Sequence, residues 1–202
     1  MTFDVLIIGG GAAGMSCALV LGSAKDKPFA KDKNIGIIIH QKASALANGL
    51  FNNVLGIPAG TSGKEILEEG KSHLTNSYPH VSQIEKEKVI RIEGEEGNFS
   101  VTTNKNNYTT KIIVVAVGPS NMFNIKGLMD YVEPHLKLPE AKNRIQLKNI
   151  DHKVKEGIYV AGILAGWRSQ FAIAAGSGAH VATDILTEWN DGYPTMIHDV
   201  VE

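Results

Sequence analysis

The chain has 202 residues, 43% of them hydrophobic, with 20 Lys and Arg against 21 Asp and Glu and a formal net charge of -1. That length suffices for one large domain with a substantial core. The charge balance excludes a basic footprint for nucleic acid, and a single cysteine, Cys17, excludes an internal disulfide framework. The N-terminal apolar run is too short to cross a bilayer and lacks the basic flank and cleavage site of a secretory signal. The expectation is a soluble, cytoplasmic protein without membrane association.

In chain order, the first expected strand is 4–8, built on the apolar run Val5 to Ile8. It ends in Gly9-x-Gly11-x-x-Gly14, and an Ala-rich, helix-compatible stretch follows at 12–22. Strand, glycine turn and helix start in this order form the fingerprint of a dinucleotide-binding βαβ unit. Gly9 permits the tight turn. Gly11 lets backbone N–H groups approach a pyrophosphate with no Cβ in the way, and Gly14 lets the helix pack close to the sheet. The helix N-terminus adds unpaired N–H donors and a positive dipole end. A glycine-rich turn without a ligand is the other reading of the same residues.

The Lys-rich loop at 25–33 alternates with acids and reads as solvated. Ile35 to Ile39 reads as a second parallel strand, buried on both faces. Residues 43–63 form a long irregular stretch, of the kind that is often functional. Ser62-Gly-Lys-Glu65 has capping-box spacing and opens a helix with Ile66, Leu67 and Leu74 as its apolar positions. Strands at 81–84, 88–92 and 99–103 read as a small β-meander, and the continuous apolar run at 112–117 as a return to the parallel sheet. Residues 119–157 are polar and mixed. An apolar strand at 158–161 ends in Gly162, and 171–189 reads as a long, small-residue-rich helix. The fold class expected is α/β: a Rossmann-like, three-layer arrangement of a parallel sheet with a β-meander.

Four blocks in this order resemble the flavin domain of the thioredoxin reductase family. They are Gly9 to Gly14; Asn53-Val-Leu-Gly56, where that family has an Asn-x-Pro-Gly turn; Ile113-Val-Val-Ala-Val-Gly118; and Gly157-Ile-Tyr-Val-Ala-Gly162 followed by Ser169-Gln-Phe-Ala-Ile-Ala-Ala-Gly-Ser-Gly178. The resemblance implies a Rossmann-like FAD-binding domain spanning 1–202, with FAD as cofactor. The family inserts a nicotinamide-nucleotide domain with its own GxGxxG and a Cys-x-x-Cys pair between the third and fourth blocks. Here 119–157 fill that place with no glycine fingerprint and no cysteine. A βαβ unit alone needs about 30 residues, so 119–157 is read as a short connection replacing that domain.

By the resemblance, Gly9, Gly11, Ala12, Ala13 and Gly14 face the pyrophosphate. His40 and Gln41 sit at the adenosine ribose, where the family carries an acid. Asn53 reaches the flavin from its loop, or serves only as a turn residue. Val89 offers backbone to the adenine edge, or is ordinary core. Gly118 lets the chain pass close to the cofactor. Gly162, Ile163, Gln170 and Phe171 line the ribityl and flavin side, with Ile163 where the family has a hydrogen-bonding Asp. Trp167 and Arg168 stand beside the flavin edge, where loop anchoring competes with a stacking or anion-binding role. Cys17 reads as a small buried apolar residue. The histidines show no ligand spacing, so no metal is expected, and no protein side chain is assigned a catalytic role.

The function expected is an FAD-dependent oxidoreductase, or its flavin subunit, without disulfide chemistry. Its electrons come from external NAD(P)H or a redox partner protein, and the resemblance suggests a homodimer. Two alternatives stand beside it: a non-catalytic flavin- or nucleotide-binding module, and a single-nucleotide NADP-binding protein with His40 and Lys42 near a 2′-phosphate.

Overall fold

The computed structural model describes residues 2–40 and 44–198. The elements in order are β1 (Thr2–Ile8), α1 (Ala12–Ser23), β2 (Ile35–Ile39), β3 (Leu50–Phe51), β4 (Thr61–Ser62), α2 (Gly63–Ser77), β5 (Ser82–Glu85), β6 (Val89–Glu95), β7 (Asn98–Thr103), β8 (Asn107–Val115), β9 (Val132–Pro134), β10 (Ile145–Leu147), β11 (Lys153–Lys155), β12 (Ile158–Val160) and α3 (Phe171–Trp189).

The main sheet runs β11-β12-β8-β1-β2-β5. Strands β12, β8, β1, β2 and β5 are parallel, and β11 closes one edge antiparallel. Central strands are buried on both faces and therefore read as unbroken apolar runs. Alternate side chains go to opposite layers. Val5, Ile7, Ile35, Ile37 and Val114 pack against Cys17, Ala18 and Leu21 of α1 and Val181 and Ile185 of α3. Leu6, Ile8, Ile38, Ile113 and Val115 face Val89, Phe99 and Val101 of the meander, together with Leu128 and Leu147. The three layers are helices, sheet and meander.

Strand β8 belongs to both systems. β1 lies along one of its edges from Thr109 to Val115. On its other edge, β7 pairs antiparallel with 107–110 and β12 pairs parallel with 113–115.

One expected assignment changes. The strand near 81–84 is not part of the meander but is β5, the parallel edge strand beside β2. Helix α2 supplies the crossover that parallel pairing demands. An edge strand is half covered, so β5 lacks the unbroken apolar run that marks β1 and β2. Residues 119–157 are also more ordered than their polar composition suggests. They hold the β9–β10 hairpin and place Leu128 and Leu147 fully inside the meander-side core.

Candidate functional site

The parallel strands all end on one side of the sheet, and several of the sequence-derived residues lie there. The turn 9–14 follows β1, Gly118 lies just beyond β8, and Gly162 follows β12 and begins a 3-10 turn, Gly162–Ala165. His40 follows β2 and is exposed. The crevice beyond the carboxyl ends of the strands is where open α/β sheets hold ligands.

The glycines separate into two groups. Gly9 has φ +115, and a Cβ there would lie 2.5 Å from the Ala116 carbonyl oxygen. A Cβ on Gly14 would lie 1.8 Å from the Gly9 carbonyl oxygen, one on Gly178 1.9 Å from that of Ala13, and one on Gly162 (φ +77) 2.9 Å from the Ala13 Cβ. These four are demanded by the chain's own packing. A Cβ on Gly11, Gly118 or Gly176 would meet nothing within 4 Å, so open space lies in front of them.

The helix starts separate in the same way. Helix α2 caps itself: the Ser62 hydroxyl accepts from the Glu65 N–H at 3.3 Å, and the Glu65 carboxylate accepts from the Ser62 N–H at 2.7 Å. Helices α1 and α3 do not. Their N-caps, Gly11 and Gln170, make no side-chain capping bond, and neither first turn holds an acid. Both positive helix ends lie at the crevice with no acid in their own first turns. Phe51 packs edge-on against Phe171, with ring centroids 5.5 Å apart, which brings the 52–60 loop to the start of α3.

The sequence profile of the family described as pyridine nucleotide-disulphide oxidoreductase matches residues 3–175. The chain belongs to this family. A ferredoxin–NADP reductase from Levilactobacillus brevis is 30% identical over 119 residues, covering 58% of this chain and 34% of that relative. The match thus spans about a third of the relative's length. The thioredoxin reductase of Gloeobacter violaceus superposes with a TM-score of 0.72 at 15% identity, covering 100% of this chain and 99% of that one. A ferredoxin-flavin thioredoxin reductase from Clostridium acetobutylicum gives 0.68 at 17%, covering 94% and 99%. At such identities the likeness is one of fold, a thioredoxin reductase-like Rossmann arrangement.

Members of this family are flavin-dependent, so the crevice can be tested against FAD. The pyrophosphate end fits. Gly11 leaves room where a Cβ would intrude, and two uncapped helix ends supply donors. The sugar contacts are thinner. His40 stands exposed at the end of β2, and Ile163 is a half-buried apolar side chain in the turn after β12. Gln41 lies outside the described residues. Asn53 is exposed, and the loop bond belongs to its neighbour: the Asn52 carbonyl Oδ1 accepts from the Gly60 N–H at 2.8 Å. The Val89 side chain is core, leaving only its backbone for a ligand. Cys17 is fully buried in the helix-side core, and that burial pushes its thiol pKa far above the ordinary range. Trp167 is 42% exposed, stacks on His152 and lies under the Lys137 ammonium at 4.7 Å, which is an anchoring arrangement.

Residues outside the motifs fasten the Gly162–Ala165 turn. The buried Ser177 hydroxyl accepts from the Gly162 N–H at 2.7 Å. The Lys137 N–H donates to His135 Nδ1 at 3.1 Å, so His135 Nε2–H donates to the Ile163 carbonyl at 3.0 Å. Asn149 Nδ2 donates to the Ala165 carbonyl at 3.3 Å. Only Ser177, between Gly176 and Gly178, sits in a stretch that sequence reasoning had marked.

Proposed function

We propose that this chain binds FAD in the crevice over 9–14, 118 and 162–171 and serves as the flavin-carrying part of an oxidoreductase. Bound flavin supplies the electron-transfer chemistry through its ring system. The chain's own residues position it. The 9–14 turn and the α1 end would hold the pyrophosphate, and the α3 end at Gln170 and Phe171 would favour negative charge placed against it. The observation that carries this reading is the contrast among helices. Helix α2 is capped by its own side chains, while α1 and α3 have neither a side-chain cap nor an acid in the first turn, which leaves their donors to a ligand.

Electrons then come from outside the chain. The resemblance reads 119–157 as a short connection in place of a nicotinamide-nucleotide domain, and the hairpin and short strands found there are consistent with that reading. The external donor is a nicotinamide nucleotide or a reduced protein partner. Purified protein is expected to be yellow and to bleach on addition of NADH, NADPH or a reduced carrier. Colourless protein that takes up no added FAD would overturn the reading.

The exposed His40 and the apolar Ile163 favour a second reading, a module that holds flavin without turning it over. It predicts bound FAD that no donor reduces at a useful rate. Melting shifts with FAD and NADPH side by side separate both readings from a single-nucleotide NADP site.

A further inference from the structure

His152 occupies a strained position. Ile150 and Lys153 exchange both backbone hydrogen bonds at 2.9 Å, which closes a two-residue hairpin turn around Asp151 and His152. Both central residues have positive φ, 45° and 69°. That pattern belongs to the type I′ turn, where Asn-Gly is comfortable and a histidine is not. The strain has a structural return. It sends the His152 ring inward, where it is 3% exposed and lies between Trp167 (centroids 5.8 Å apart) and His180 (5.0 Å). Non-glycine residues held at positive φ concentrate at functional sites.

His152 Nδ1 lies 2.9 Å from the Val160 carbonyl oxygen and 3.4 Å from Ser177 Oγ. A carbonyl only accepts, so Nδ1 carries the proton and Nε2 is the nitrogen that titrates. Ser177 Oγ is the atom that holds the Gly162 N–H. We propose that Ser177 and His152 are positioning residues of the Gly162 turn, and that the Trp167–His152–His180 ring stack makes their hold respond to pH. Its bearing on a cofactor rests on the flavin reading given above.

Protonation of Nε2 turns Nδ1–H into a charge-assisted donor, about twice as strong as a neutral one. The stronger donor pulls on the Val160 carbonyl and on the Ser177 oxygen beside it, the same oxygen that accepts from Gly162 N–H, and so alters the hold on the turn. The charged groups around the ring come from several elements. Asp151 lies beside it in the turn, Lys153 follows on β11, His180 and Asp184 come from α3, and Lys137 lies across Trp167. His180 Nε2 sits 3.6 Å from Asp151 and 3.4 Å from Asp184. Burial lowers the proton affinity of His152. The Val160 bond and the two carboxylates oppose that, while His180 adds to it. Burial likewise raises the Asp184 carboxyl.

The test uses cofactor-free protein in a W189F background, which leaves Trp167 as the reporter, followed by FAD titration. Between pH 8 and 5, the Gly162 amide resonance and Trp167 emission are expected to shift together, with a midpoint below the ordinary histidine value of about 6.5. H152N retains a donor near Nδ1 but does not titrate, and is expected to flatten both. S177A is expected to uncouple Gly162 while Trp167 still titrates, and to weaken FAD binding about three- to tenfold, with S177T restoring it. A Gly162 resonance that stays still while Trp167 titrates overturns the coupling. If Gly162 follows His152 but FAD never binds, the coupling stands and the flavin reading falls. If FAD binds with the same affinity throughout and Gly162 is unmoved, the coupling falls and the flavin reading stands.

Discussion

Gly178 of α3 lies so close to Ala13 of α1 that a Cβ on it would approach the Ala13 carbonyl oxygen to 1.9 Å. The two helices that end at the crevice therefore touch through backbone, and their relative position is set by the absence of one carbon atom. Backbone cannot step aside as a flexible side chain can. G178A is expected to lose about 3 kcal/mol of stability, the upper end of what overpacking costs, read as a lower urea midpoint.

Gly11 makes the opposite prediction. It has ordinary φ and nothing within 4 Å of its missing Cβ. G11A is expected to stay within about 1 kcal/mol of the wild type in denaturant, as N-cap exchanges do, yet to weaken FAD at least tenfold. Equal losses of stability and binding would mean that Gly11 serves packing alone.

Ile163 invites a gain of function. I163D places a carboxylate in the turn held by Ser177, His135 and Asn149. A charge-assisted bond contributes about 1.5–3 kcal/mol, so FAD is expected to bind tenfold or more tightly in fluorescence titrations. Unchanged affinity would place the ribityl chain elsewhere.

Glu87 ties the chain's stability to acid. Burial raises its carboxyl pKa, but bonds from Thr103, Asn106 and Tyr108 outweigh that and hold it below the ordinary carboxylate range. A lowered folded-state pKa gives stability that is present above the unfolded value, about 4.3, and is lost as pH falls through the folded one. E87Q is expected to be less stable at pH 7 and to show a flatter decline below pH 4.5 in acid titrations followed by circular dichroism.

Cys17 is 0% exposed. Its labelling by a thiol reagent is expected to track global unfolding, with native protein unreactive on the timescale in which denatured protein reacts fully. Rapid labelling of native protein would show that α1 opens locally.

The strands of the parallel sheet were legible because burial on both faces forces unbroken apolar runs such as Val5 to Ile8 and Ile112 to Val115. Helix α2 was legible because Ser62 and Glu65 write its cap into the sequence. Strand β5 was misassigned because an edge strand carries no such run. Among the candidate site residues, a glycine letter does not say whether a ligand or a neighbouring backbone needs the space. Gly11 and Gly118 face openness, whereas Gly14 and Gly178 face carbonyl oxygens. His152 was invisible because Asp-His is not a hairpin-turn sequence, and its inward aim depends on contacts from β12 and α3, which come later in the chain.

Because β8 pairs β1 with residues made a hundred positions later, the glycine turn has a history in time as well as a place. During synthesis, residues 9–14 emerge before the wall beside them, which waits for β8, and before the Gly162 turn, which waits for β12. At about 5–20 residues per second, that interval is on the order of ten seconds. The segment that names the fold is thus made well before it becomes a site.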